Sequence, residues 1–114
     1  MSTIYHNPRC STSRNALQML QEHGESIDVV DYLKTPLNRA ELKKLIADAG
    51  LTVRQAMRGK EPVYQELGLD DASLSDEALL DAMAAHPVLL NRPFVTTAKG
   101  TRLARPVEVL REIL

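Results

Sequence analysis

The sequence predicts an α/β fold, with helices packed on a four-stranded mixed sheet, and three observations carry the expectation. Two short apolar-rich runs, 2–6 and 27–33, are separated by about twenty residues of helical periodicity, the length that a crossover between parallel strands requires. A second pair of extended runs, 94–97 and 101–104, is joined by Ala98-Lys99-Gly100, the pattern of a hairpin. Between the two pairs, residues 37–86 carry apolar side chains at helical spacing, interrupted by capping and stop signals.

Taken in order, Ile4 and Tyr5 belong to the first strand and Pro8 stops it. Ala16, Leu17 and Leu20 recur at helical spacing, with Gly24 as the stop, so Cys10 falls at a helix N-terminus. In the second strand Ile27, Val29 and Val30 are β-branched, while Asp28 and Asp31 place it near an edge or leave one flank wet. It ends before Thr35-Pro36. Asn38 and Glu41 form the signature of a capping box, and Leu42, Leu45, Ile46 and Ala49 continue a helix over 39–49 to Gly50. Thr52 starts a turn or two of helix through Met57 and Arg58, and Pro62 opens another that ends at Gly68. Ser75 caps a helix to about Ala85, with Leu79, Leu80 and Met83 on its apolar side and His86-Pro87 as its end. After the hairpin, Pro106 fits the first position of a closing helix whose Val107, Val109, Leu110, Ile113 and Leu114 cover the sheet. The order β-α-β, helices, β-β-α is an arrangement of the thioredoxin type. Residues 1–114 read as one domain with a helical insert at about 37–86.

Composition narrows the function. A hydrophobic content of 44%, a charged content of 25% and a formal net charge of −1 are ordinary for a soluble globular protein, with no general pull toward nucleic acid or anionic lipid. Any anion site must then be a local cluster. One cysteine cannot form an internal disulfide, no apolar run reaches membrane-spanning length, and a secretory leader is not evident, so a cytoplasmic monomer is expected. No metal-ligand cluster is expected either, since His6, His23 and His86 are scattered and the last two read as surface or helix-end residues.

The chemistry concentrates around Cys10. At a helix N-terminus, unpaired N–H groups and the positive end of the macrodipole favour the thiolate. A free thiol of pKa about 8.5 is only about 3% ionised at pH 7, and lowering the pKa by about two units raises that to about three-quarters. The dipole supplies at most about 2 kcal/mol, so cations such as Arg9, Arg14 or a protonated His6 are expected to add the remainder. A lone cysteine can also be a small buried hydrophobe, but the polar, helix-opening setting favours the reactive reading. Three arginines stand beside structural punctuation: Arg58 before Gly59, Arg92 before Pro93 and Arg105 before Pro106. Loop-edge positions of this kind can converge on one rim, and they can equally be three solvated side chains.

The stretch from His6 to Asn15, His-Asn-Pro-Arg-Cys-Ser-Thr-Ser-Arg-Asn, together with Asn91-Arg92-Pro93 and the run from Gly100 to Pro106, resembles the glutaredoxin-coupled arsenate reductases of the ArsC/Spx superfamily. The resemblance covers essentially the whole chain. It implies that Cys10 is the nucleophile, that His6 and Ser13 tune it, and that Arg58, Arg92 and Arg105 hold an oxyanion such as arsenate. A thioredoxin-like fold with a cis Arg92-Pro93 peptide is also implied, with no bound cofactor, glutathione as co-substrate and glutaredoxin as partner. Independently of the resemblance, two-electron reduction needs a second thiol that this chain lacks, so the reductant must be external. More distantly the chain resembles Spx-type regulators that bind RNA polymerase. Those carry a Cys-x-x-Cys switch, and Ser13 occupies the second position here. A monothiol glutaredoxin-like carrier is the remaining alternative.

Overall fold

The computed structural model of the chain describes residues 1–24 and 26–114. Its elements are β1 (Ser2–His6), α1 (Ser11–Glu22), β2 (Ile27–Asp31), α2 (Arg39–Asp48), α3 (Pro62–Glu66), α4 (Asp76–Ala85), β3 (Phe94–Thr97) and β4 (Gly100–Leu103). Segments of 3-10 helix occupy Arg54–Ala56, Pro87–Leu89 and Val107–Ile113. Two compact units result, residues 1–35 with 92–114, and residues 36–91.

The first unit holds the sheet, in the order β2-β1-β3-β4. β1 runs parallel to β2, with Ile4 opposite Val29 and His6 opposite Asp31, and antiparallel to β3, with Tyr5 opposite Phe94. β3 and β4 form the hairpin, closing at Thr97 opposite Gly100. Gly100 has φ +145, a conformation that side-chain-bearing residues rarely adopt, so glycine here sets the start of β4. β2 lies at the sheet edge, as its aspartates suggest. It ends at Asp31 rather than running to residue 33. The Asp31 carboxylate accepts from the Leu33 amide at 3.1 Å, and its carbonyl accepts from the amides of Lys34 and Thr35, so the chain turns there instead of extending.

Alternation in β1 buries Ser2, Ile4 and His6 on one face. Helical spacing in α1 buries Ser13, Ala16 and Leu20 along one stripe. Ile4, Ala16, Leu20, Val95, Ala104, Leu110 and Ile113 make one fully buried core cluster, so the α1 stripe covers the inward side of the sheet. The closing segment differs from expectation: Val107–Ile113 is a 3-10 helix, and Pro106 precedes it as a cap residue with ψ 163. At three residues per turn, Val107, Leu110 and Ile113 fall in one row, and that row packs on the core. The β-branched Val107 and Val109 also weaken the competing α-helix. Thr97 Oγ1 donates to the Ile113 carbonyl at 2.6 Å and Arg102 pairs with Glu112 at 3.1 Å, tying the segment to the hairpin.

In the second unit the expected capping box of α2 is present, with the Glu41 amide donating to Asn38 Oδ1 at 2.8 Å and the Asn38 amide to Glu41 Oε1 at 3.0 Å. α2 packs on α4, and Arg39 forms ion pairs with Glu77 and Asp81 across them. Ser75 caps α4 by accepting from the Ala78 amide. Helix in the 52–58 stretch is shorter than expected, only Arg54–Ala56, because Met57 leaves it in extended conformation to bridge Leu90. Among the described residues, no helix is long and apolar enough to cross a membrane.

Candidate active site

The first turn of α1 and the loop before it form a small, closed hydrogen-bond system. Because His6 ends the buried face of β1 and Ser13 begins the buried stripe of α1, the two meet at the polar end of the strand–helix interface. His6 Nδ1 lies 2.6 Å from Ser13 Oγ. Ser13 Oγ also accepts from the Asn7 amide at 3.0 Å, and both His6 and Ser13 are buried. Asn7, which sequence reasoning quoted without assigning a role, is a loop organiser. Its carbonyl accepts from the Cys10 amide and its Oδ1 from the Arg9 amide, each at 3.0 Å. That side-chain-stabilised turn delivers Cys10 to the N-cap position of α1, with φ −94 and ψ 121. An Asn immediately before a Pro was the sequence signal for such a turn.

The Ser13 amide, in the first turn of α1, donates to Cys10 Sγ. Arg105 Nη1 reaches it from the segment after β4, donating to Sγ at 3.7 Å, and the same nitrogen donates to the Arg92 carbonyl at 3.1 Å. Burial is the largest influence on the thiol and pushes its pKa up. The Ser13 amide, side-chain hydrogen bonds from Arg92 and Arg105, and the charge of Arg92 together outweigh it and bring the pKa down to about 7. Roughly half the sulfur is then ionised at pH 7, against about 3% for a free thiol.

The cations that lower this pKa differ from those expected from neighbouring sequence. Arg14 Nη1 instead donates to the Pro8 carbonyl at 3.0 Å. His6 is held below the ordinary imidazole value, chiefly by burial, with Asp31 opposing that effect and Arg14 adding to it. Burial thus works against the imidazolium form that was expected to support the thiolate. Arg92 and Arg105 take the place assigned to Arg9, Arg14 and His6 because they flank the open end of the β3–β4 hairpin, where Phe94 pairs with both Leu103 and Tyr5 of β1.

Cys10, His6, Ser13, Arg92 and Arg105 therefore assemble within one unit. Arg58 lies in the other, where its Nε donates to Glu61 Oε1 at 3.1 Å and its amide donates to the Leu89 carbonyl at 2.7 Å. Both side chains of that ion pair are about four-fifths buried, at 22% and 20% exposure. Sequence reasoning missed Glu61, although its spacing of three residues from Arg58 is the spacing at which side chains meet on one turn. The Arg92-Pro93 peptide is cis, and so is Arg105-Pro106. Chemically, the assembly offers a partly ionised nucleophile, guanidinium donors beside it, and a buried imidazole–hydroxyl pair behind it.

Comparison with known proteins places this geometry. The sequence model of the ArsC family matches residues 5–113. The arsenate reductase of Rhizobium meliloti (strain 1021) is 61% identical over 112 residues, covering 98% of this chain and 80% of that relative. The arsenate reductase of Escherichia coli (strain K12) is 52% identical over 112 residues, covering 98% of this chain and 79% of that protein. The solved structure of the arsenate reductase from Vibrio cholerae superposes with a TM-score of 0.95 at 47% identity, over 99% of this chain and 97% of that one.

Proposed function

The chain belongs to the ArsC family, and on that premise we propose that it reduces arsenate to arsenite through a covalent bond between Cys10 and arsenic. The observation that carries the reading is the Arg105 guanidinium set against a Cys10 sulfur whose pKa is brought down to about 7. By analogy with a phosphate ester, arsenate carries roughly 1.5 to 2 negative charges near pH 7 and the thiolate adds about one more. Nucleophile and substrate would repel each other without fixed positive charge. Arg92 and Arg105 supply about two fixed positive charges beside the sulfur, and their planar forks orient the oxyanion for attack.

In the first step the thiolate sulfur bonds to arsenic as an As–O bond breaks, and the oxygen leaves as water after taking up protons. Glutathione sulfur then bonds to the same arsenic, with a second oxygen leaving as water. Arsenic is still in the +5 state. A glutaredoxin thiolate next attacks the glutathione sulfur, forming the mixed disulfide. The S–As electron pair stays on arsenic, which becomes +3. Hydrolysis of the remaining S–As bond releases arsenite and restores Cys10. A chain whose sole cysteine is the nucleophile has no thiol of its own to complete this cycle, which supports external thiols and a reducing, cytoplasmic setting.

The test is NADPH oxidation coupled through glutathione reductase and glutaredoxin. Arsenate-dependent turnover is expected only with glutathione and glutaredoxin both present. No turnover in the complete mixture overturns the activity, and turnover that persists when either thiol component is omitted overturns the electron route.

A further inference from the structure

We propose that a groove of about 400 Å³ lined by Thr12, Asn15, Arg105, Pro106, Val107 and Glu108 seats the reducing co-substrate, a thiol peptide bearing carboxylates and an ammonium, for which glutathione is the probe. The assignment rests on the reading of Cys10 as a nucleophile that an external thiol must complete. Four lines lead to it.

Position comes first. Thr12 and Asn15, three residues apart, project from one face of the first turns of α1, two and five residues beyond Cys10. Arg105 lines the same groove and also donates to Cys10 Sγ, so one side chain joins the groove to the sulfur. A thiol lying in it approaches arsenic bonded to Cys10 from the α1 side.

Charge comes second. Arg105 uses Nη1 for both Sγ and the Arg92 carbonyl, which leaves Nε and Nη2 as donors toward a carboxylate. Glu108, also in the lining, offers an acceptor to an ammonium. One cation and one anion suit a zwitterionic peptide better than a bare alkyl thiol. Third, the lining has the mixed character of ligand sites, with apolar Pro106 and Val107 against the polar Thr12 and Asn15, and its volume falls within the usual range for such sites.

The fourth line is comparative. A second groove near the thiol loop, lined by Asn7, Pro8, Arg9, Asp31, Leu33 and Lys34, is of similar size at about 420 Å³, but it includes neither guanidinium that bonds the sulfur. The step served is the one already balanced: an S–As bond forms, an As–O bond breaks, and the thiol proton leaves with the oxygen as water.

Titration of the full chain with S-methylglutathione, which keeps the charges but cannot transfer sulfur, tests the assignment by amide chemical shifts. Shifts are expected at Thr12, Asn15, Val107 and Glu108. Glu108→Lys, and separately Asn15→Ala, should weaken binding roughly fivefold or more, as expected for losing or inverting one polar contact. In turnover, Glu108→Lys should raise the KM for glutathione by a similar factor while the KM for arsenate stays within about twofold. Shifts confined to the Asn7–Lys34 groove, no shifts at all, or an unchanged glutathione KM in both variants would each overturn the subsite. Failure of the activity reads differently: shifts in the groove without arsenate turnover remove the reductase reading and leave the subsite standing.

Discussion

At the scale of single residues, the state of Cys10 is set by a contest between burial, which favours the thiol, and the Ser13 amide with two arginines, which favours the thiolate. The folded pKa of about 7 lies below that of the unfolded chain, so the thiolate's contribution to stability is full above the free-thiol pKa and is lost as pH falls through about 7. Alkylation of Cys10 by iodoacetamide should accordingly rise with a midpoint near pH 7. In Arg105→Ala the midpoint should move toward the free-thiol value, because a hydrogen bond to sulfur is gone. An identical profile in the variant would detach Arg105 from the thiol. Ser13 is tested by its two partners. Ser13→Ala leaves His6 Nδ1 and the Asn7 amide buried without their hydroxyl, a loss of about 1–3 kcal/mol. Denaturant unfolding should register it, and a change below about 0.5 kcal/mol would mean that water replaces the hydroxyl. Because His6 is held below the ordinary imidazole value by burial, protonating it opposes folding, and the deficit of Ser13→Ala is to be measured at about pH 8 or above, well clear of the ordinary imidazole range.

Among the elements, Val107–Ile113 shows how a sequence pattern can be right about burial and wrong about geometry. Apolar residues at 107, 110 and 113 satisfy a helix with three residues per turn as well as one with 3.6, and the β-branched pair Val107 and Val109 tips the choice. Only Leu110 and Ile113 of that row are fully buried. Leu110→Ala should therefore cost about 2–5 kcal/mol, whereas the exposed neighbour Arg111→Ala should stay within about 0.5 kcal/mol. Comparable effects at the two positions, read by thermal or denaturant unfolding, would contradict the packing of this row on the core. The strands and the α2 and α4 helices follow their signals more closely because their cues are local. A capping box, an N-cap serine and a period of two act within a few residues, and tertiary contacts reinforce rather than override them.

Across the whole molecule, local and distant information divide the site. His6, Cys10 and Ser13 lie within eight consecutive positions, and a strand–loop–helix reading already sets them together. Arg92 and Arg105 reach the sulfur only because β3 pairs with β1, a long-range antiparallel contact that no spacing rule specifies. In the sequence they were legible as arginines before prolines and through the family resemblance. For the same reason the expected cations were taken from the wrong neighbourhood: proximity along the chain favoured Arg9 and Arg14, and the fold substitutes Arg92 and Arg105. Glu61 escaped notice because a glutamate three residues after an arginine on a loop is common, and only its shared burial with Arg58 sets the pair apart. A net charge of −1 over the chain conceals this local gathering of positive charge around one sulfur. The central claim is that this sulfur bonds arsenic, and the most direct measurement is arsenite formed from arsenate, resolved by arsenic speciation, with the wild-type chain and Cys10→Ser compared under glutathione and glutaredoxin. Arsenite should accumulate catalytically with wild type and fall to the enzyme-free background with Cys10→Ser, and equal arsenite from both chains would contradict the account.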